Sequence, residues 1–222
     1  MGNSKIQTTK PVLILLYGFP GSGKTHFARQ LSEDLRTAHV HGDRIRHELF
    51  EQPRYDREEN GIVTQLMDYM SEEFLSAGMN VIYDMNAARL AQRRILREMA
   101  RKNRTSSLIV WFQTDPDTAF TRTKNRDRRK TDDKYARSYT PEMFQRYISH
   151  MQHPQNEDYV VVSGKHVYPS QRTAIFKKMI ELGYIIPSQT SQEKVAKPGM
   201  INLVPRNLSG RADTDRRNIS IR

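Results

Sequence analysis

Val12-Leu13-Ile14-Leu15-Leu16-Tyr17-Gly18-Phe19-Pro20-Gly21-Ser22-Gly23-Lys24-Thr25 is the stretch that decides the fold of this chain. Residues 12–17 form a continuous apolar run, the pattern of a strand buried on both faces. The next eight residues fit G-x-x-x-x-G-K-[ST] at every fixed position. Phe27, Leu31 and Leu35 then recur at helical spacing over residues 25–36. Strand, glycine loop and helix is the context in which such a loop cradles phosphate. The glycines let several N–H groups turn toward one anion, and the start of the helix adds its positive end. Lys24 reaches β- and γ-phosphates, and the Thr25 hydroxyl suits Mg²⁺. Gly18, Phe19, Pro20, Gly21, Ser22, Gly23, Lys24 and Thr25 are therefore the expected nucleotide-binding residues, for ATP or alternatively GTP.

Outward from this stretch, strands and helices alternate. Strands are predicted at 38–41, 80–83, 108–112 and 159–162. Helices are predicted at 43–50, 58–77 (with Gly78 as its C-cap), 89–103, 118–130, 141–150 and 170–182. Alternation of this kind indicates an α/β fold with a mostly parallel sheet. Residues 1–10 are polar and expected to be disordered, and residues 11–186 form the expected domain. The stretch 187–222 holds seven basic and three acidic residues with few large apolar ones, and it reads as a basic, mostly disordered tail.

The chain has 222 residues and no cysteine, which excludes disulfides, thiol catalysis and Cys-ligated zinc. Its longest apolar run is too short to span a bilayer. No targeting signal is evident, and Ile6 breaks the myristoylation pattern at Met1-Gly2. A cytoplasmic location and no membrane partner are expected. The net charge of +11 favours anionic partners, namely nucleotides, nucleic acid or acidic surfaces.

Three further groups carry candidate chemistry. Asp43 follows the second strand, on the sheet edge where the phosphate loop lies, and there it suits a general base. Arg46, one helical turn on, suits a phosphate or carboxylate of the acceptor. The alternative is a helix cap and a surface ion partner. Asp84 ends the third strand and resembles a weak Walker B element that holds Mg²⁺, or else closes an Asx turn. Asn86 either binds substrate or shapes that turn. Arg122, Lys124, Arg126, Arg128, Arg129 and Lys130 put six cations in nine residues. Arg122, Arg126 and Arg129 would share a helix face and repel one another unless a polyphosphate lay against them. This suggests a lid at about 117–140, the alternative being a solvated or nucleic-acid-binding face. Trp111 and Phe112 read as core. His39 and His41 lie on one side of a strand, but two ligands do not make a zinc site.

Together the loop, the Asp43-x-x-Arg46 pair, Val81–Asn86 and the Arg122–Arg129 segment resemble the small P-loop kinases of the polynucleotide-kinase and zeta-toxin type, among the AAA-family ATP-binding proteins. The resemblance covers residues 12–186. It implies a P-loop NTPase three-layer sandwich with a five-stranded parallel sheet in the order 2-3-1-4-5 and a helical lid. It also implies that Asp43 and Arg46 act on the acceptor hydroxyl and phosphate, and that Arg122, Arg126 and Arg129 face ATP. Lys24, Asp43 and Arg126 are then the catalytic candidates, Asp43, Arg46, Asp84 and Asn86 the substrate-binding ones, and Thr25 and Asp84 the metal ligands. The acceptor is not inherited with the fold. A kinase is the favoured activity, with an ATPase switch and an ATP-regulated nucleic-acid-binding module as alternatives.

Overall fold

The structure is a computed structural model, and it describes residues 6–127, 129 and 133–186. Five strands alternate with helices: β1 Val12–Gly18, α1 Lys24–Asp34, β2 Thr37–His41, α2 Gly42–Leu49, α3 Arg57–Ser76, β3 Asn80–Asp84, α4 Leu90–Lys102, β4 Ser106–Gln113, α5 Pro116–Lys124, α6 Pro141–Ser149, β5 Tyr159–Ser163 and α7 Tyr168–Glu181. All strand pairs are parallel and the sheet order is β2-β3-β1-β4-β5, as the resemblance implied.

β1 shows why the central run is apolar without alternation. Val12, Ile14 and Leu16 pack with Phe27, Leu31, Ile175 and Met179 of α1 and α7. Leu13, Leu15 and Tyr17 face the other way and pack with Val63, Met67, Leu96 and Met99 of α3 and α4. Successive side chains point to opposite faces, so a strand covered on both sides must be apolar at every position. Phe112 is buried in the first cluster. Trp111 is half-buried against the second, stacked on His153 at 4.9 Å.

A buried ion pair fixes the far side of this second layer. Arg93 of α4 is fully buried and its guanidinium lies 2.9 Å from Glu157. It also donates to the carbonyls of Ala87, Gln152 and His153. Every donor of the planar fork is used, which is the condition under which a charge can be buried.

Two expectations need correction. Residues 6–10 are not disordered throughout: Ile6 bridges to Leu35, and Thr9 N–H donates to the Tyr184 carbonyl at 2.9 Å. The basic helix is shorter than residues 118–130. Asp115 caps its start by accepting from Thr118 N–H, and it ends at Lys124 with Asn125 as C-cap. Extending it would stack Arg122, Arg126 and Arg129 on one face, and like charges at that spacing oppose the helix. Arg128, Lys130 and the tail at 187–222 lie outside the described residues. Among the described residues, no helix is long and apolar enough to cross a membrane.

Candidate active site

The carboxyl ends of β1, β2 and β3 open into a cleft of about 1430 Å³. The phosphate loop forms its floor. Gly21 has φ +83°, and a Cβ there would stand 2.2 Å from the Ala119 carbonyl oxygen of α5, so only glycine allows the loop to lie against that helix. Gly23 caps α1, which has no side-chain cap and no acid in its first turn. Neither a capping side chain nor an acid of its own first turn offsets the positive end of this helix. Lys24 Nζ donates to the carbonyls of Gly18 and Phe19 at 2.9 and 2.8 Å and lies 3.4 Å from Ser22 Oγ. Burial lowers the Lys24 pKa to about 8, opposed by Asp84 and Asp43 and assisted by Arg126.

Asp84 ends β3, 5% exposed. It is no simple turn former. Its Oδ1 accepts from the Thr25 hydroxyl at 3.3 Å, and its Oδ2 lies 2.8 Å from His39 Nε2. Burial pushes the carboxyl upward, but the His39 hydrogen bond, the His41 and His39 charges and the Thr25 hydroxyl hold it below the ordinary carboxylate range. An ionised carboxylate beside a threonine hydroxyl is an oxygen donor set that suits magnesium.

Asp43 is not the cap of α2. His41 occupies that position, and Asp43 sits in the first helical turn, lining the cleft. Burial raises its pKa, the charge of Asp84 adds to the rise, and His41, Arg126 and Arg46 oppose it. Lys24, Asp43, Asp84 and Arg126 thus share one electrostatic neighbourhood, although they come from the first helix, the second helix, the third strand and the segment after α5.

The other expected residues divide. Arg46 is no surface ion partner: it is buried, donating to Glu59 at 3.1 Å and Asn60 at 2.6 Å, with its guanidinium over the Tyr55 ring at 4.6 Å. Its Nε is buried without a partner. Asn86 accepts from Gly18 N–H and donates to the Tyr147 hydroxyl at 2.8 Å, tying the loop to α6. Arg122 lines the cleft and donates to the Gly164 carbonyl. Arg126 also lines it, donating to the Arg137 carbonyl at 3.1 Å. Arg129 is not among the cleft residues. Its side chain is exposed and pairs with Asp127 at 3.4 Å, because the helix that would have turned it inward has already ended.

The structure adds residues that sequence reasoning passed over. Arg137 stacks on Tyr55 at 4.5 Å, on the same ring that Arg46 covers, and also approaches Tyr139. Burial pushes Tyr139 upward, and lifts Tyr147 to about 12. These tyrosines, with Arg89 and Arg146, line the cleft beyond Asp43. The mixture of cations and tyrosines over residues 134–147 is the sequence signal for Arg137, Tyr139, Arg146 and Tyr147, and it does not reach Tyr55 or Arg89.

The AAA domain family profile matches residues 13–154, more than half of the chain. The chain belongs to the AAA domain family. No curated protein matches the sequence. Among solved structures, Chaetomium thermophilum Kti12 in complex with ADP-AlF3 is similar with a TM-score of 0.58 and 17% identity, over 79% of this chain and 100% of that one. A gluconokinase from Sinorhizobium meliloti 1021 gives 0.56 and 15%, over 80% and 95%. The APS kinase of Mycobacterium tuberculosis in complex with AMPPNP and APS gives 0.55 and 16%, over 77% and 98%. At these identities the likeness is one of fold. That fold is the P-loop NTPase fold, as the motifs implied.

Proposed function

We propose that this chain is an ATP-dependent phosphotransferase that moves the γ-phosphate to a hydroxyl acceptor. The observation that carries the reading is the convergence of Lys24, Asp43, Asp84 and Arg126 on one cleft that is far larger than the loop alone needs. The loop amides and Lys24 hold the triphosphate, ATP or GTP. Thr25 and Asp84 are the residues that would hold Mg²⁺, which neutralises phosphate charge when bound. Asp43 accepts the proton of the acceptor hydroxyl as its oxygen bonds to the γ-phosphorus. The bond from that phosphorus to the β-bridging oxygen breaks, and the diphosphate leaves. A raised pKa makes Asp43 the better base. Arg126 and Arg122 approach from the α5 side, where they stabilise charge on the transferring group.

Arg89, Arg137 and Arg146 on the acceptor side favour an anionic acceptor. A nucleic-acid 5′-hydroxyl or a phosphorylated metabolite fits this requirement. The test is transfer of label from γ-labelled ATP to 5′-hydroxyl oligonucleotides, nucleosides, sugars or a metabolite extract. Asp43→Asn should spare ATP binding and slow transfer by about 10²–10⁴-fold. Full-rate transfer by Asp43→Asn would remove Asp43 as base, and robust turnover without any acceptor would favour an ATPase switch instead.

A further inference from the structure

His39 and His41 alternate with Val40 on β2, the edge strand of the sheet, so both point to one side. Their rings stack at 5.4 Å with planes 13° apart. Parallel pairing sets His41 directly opposite Asp84 on β3. Strand register therefore supplies, from 43 positions downstream, the third donor that the sequence spacing lacks. Asp84 Oδ2 lies 2.8 Å from His39 Nε2 and 3.8 Å from His41 Nε2, and one atom from each of the three residues falls within 4.8 Å of the others.

A hydrogen bond accounts for His39. It does not account for His41, because 3.8 Å is beyond hydrogen-bonding reach. A tetrahedral ion with bonds of about 2.0–2.1 Å would hold its donors roughly 3.4 Å apart, so side-chain rotations of about 1 Å would close the set. The two carboxylate oxygens of Asp84 are already divided between partners. Oδ1 faces the Thr25 hydroxyl and Oδ2 faces the imidazoles. Two imidazoles and one carboxylate suit zinc, cobalt or nickel, whereas magnesium prefers oxygen donors throughout. Three protein donors leave a coordination position open, and His41 lines the cleft from which an ion would enter.

We propose that His39, His41 and Asp84 Oδ2 form a binding site for one divalent transition-metal ion of the zinc class, separate from the oxygen donors at Thr25.

The site does not depend on the transfer reading, and its test uses neither nucleotide nor acceptor. Co²⁺ is titrated into the full chain and followed by visible absorption. The expected result is a d–d band that saturates at one equivalent and is displaced by Zn²⁺. His39→Gln and His41→Gln should each weaken Co²⁺ binding by at least about 100-fold, while Thr25→Ala keeps the band. Absence of a band, or unchanged affinity in both glutamine variants, overturns the proposal. Circular dichroism checks that the variants fold. Should either fail, histidine ring-proton NMR of the unaltered chain decides the matter: Zn²⁺ at one equivalent must shift His39 and His41, and shifts confined to other histidines would overturn the site.

Discussion

Two buried arginines, each paired with a buried glutamate, behave differently in this molecule. Arg93 meets Glu157 with both side chains fully buried, and every N–H of its guanidinium has a protein acceptor. Arg46 meets Glu59 with side-chain exposures of 3% and 2%, yet its Nε has no partner. A buried polar atom left unpaired costs about 1–3 kcal/mol. That cost falls on the arginine that borders the cleft, and it is absent at the one that braces α4 against residues 152–157. Arg93 completes the fold, whereas Arg46 also lines the cleft.

The contrast can be tested by the same substitution at both positions. Arg93→Lys replaces five donors with three and leaves buried acceptors unpaired. It should destabilise by about 3–5 kcal/mol in total, lowering the melting temperature by roughly 10 °C in a chain of this size. Arg46→Lys should lower it by less than half as much, because Asn60 is exposed and Glu59 keeps the backbone N–H groups of Arg54 and Tyr55. Its larger effect should appear in transfer assays as a rise in the acceptor KM of about tenfold or more. Equal thermal losses at the two positions would make Arg46 a structural residue only.

The smallest effect concerns protons. Lys24 has a pKa near 8 in the free protein, and a bound triphosphate favours its charged form. Binding at pH 8 should therefore be accompanied by proton uptake at this group, and affinity should fall as pH rises through 8. Calorimetry in buffers of different ionisation enthalpy measures the uptake. Proton release at pH 8 would contradict it.

These comparisons also show what a sequence can and cannot disclose. The strand, loop and helix at residues 12–35 were legible because apolar runs and glycine spacing are local signals. Asp43 and Asp84 were legible as residues at strand ends facing the same edge. Arg93 was not, for it is one of several arginines in α4 and its partner lies 64 positions away. Arg46 was legible as a cation one turn after Asp43, but its clamp on Glu59 was not, because it joins two helices and follows no local rule. Periodicity alone extends the basic helix past Asn125 and turns Arg129 inward, whereas the helix stops at Lys124. His39 and His41 were visible as a pair. Their third neighbour came from strand register, which one sequence does not fix.

The direct test of the nucleotide site is a calorimetric titration of magnesium-ATP into the full chain and into Lys24→Ala. The arrangement of loop, lysine and helix start predicts saturable heat at one equivalent for the former and its loss for the latter. No heat from the unaltered chain with magnesium-ATP or magnesium-GTP, or undiminished heat from Lys24→Ala, would contradict it.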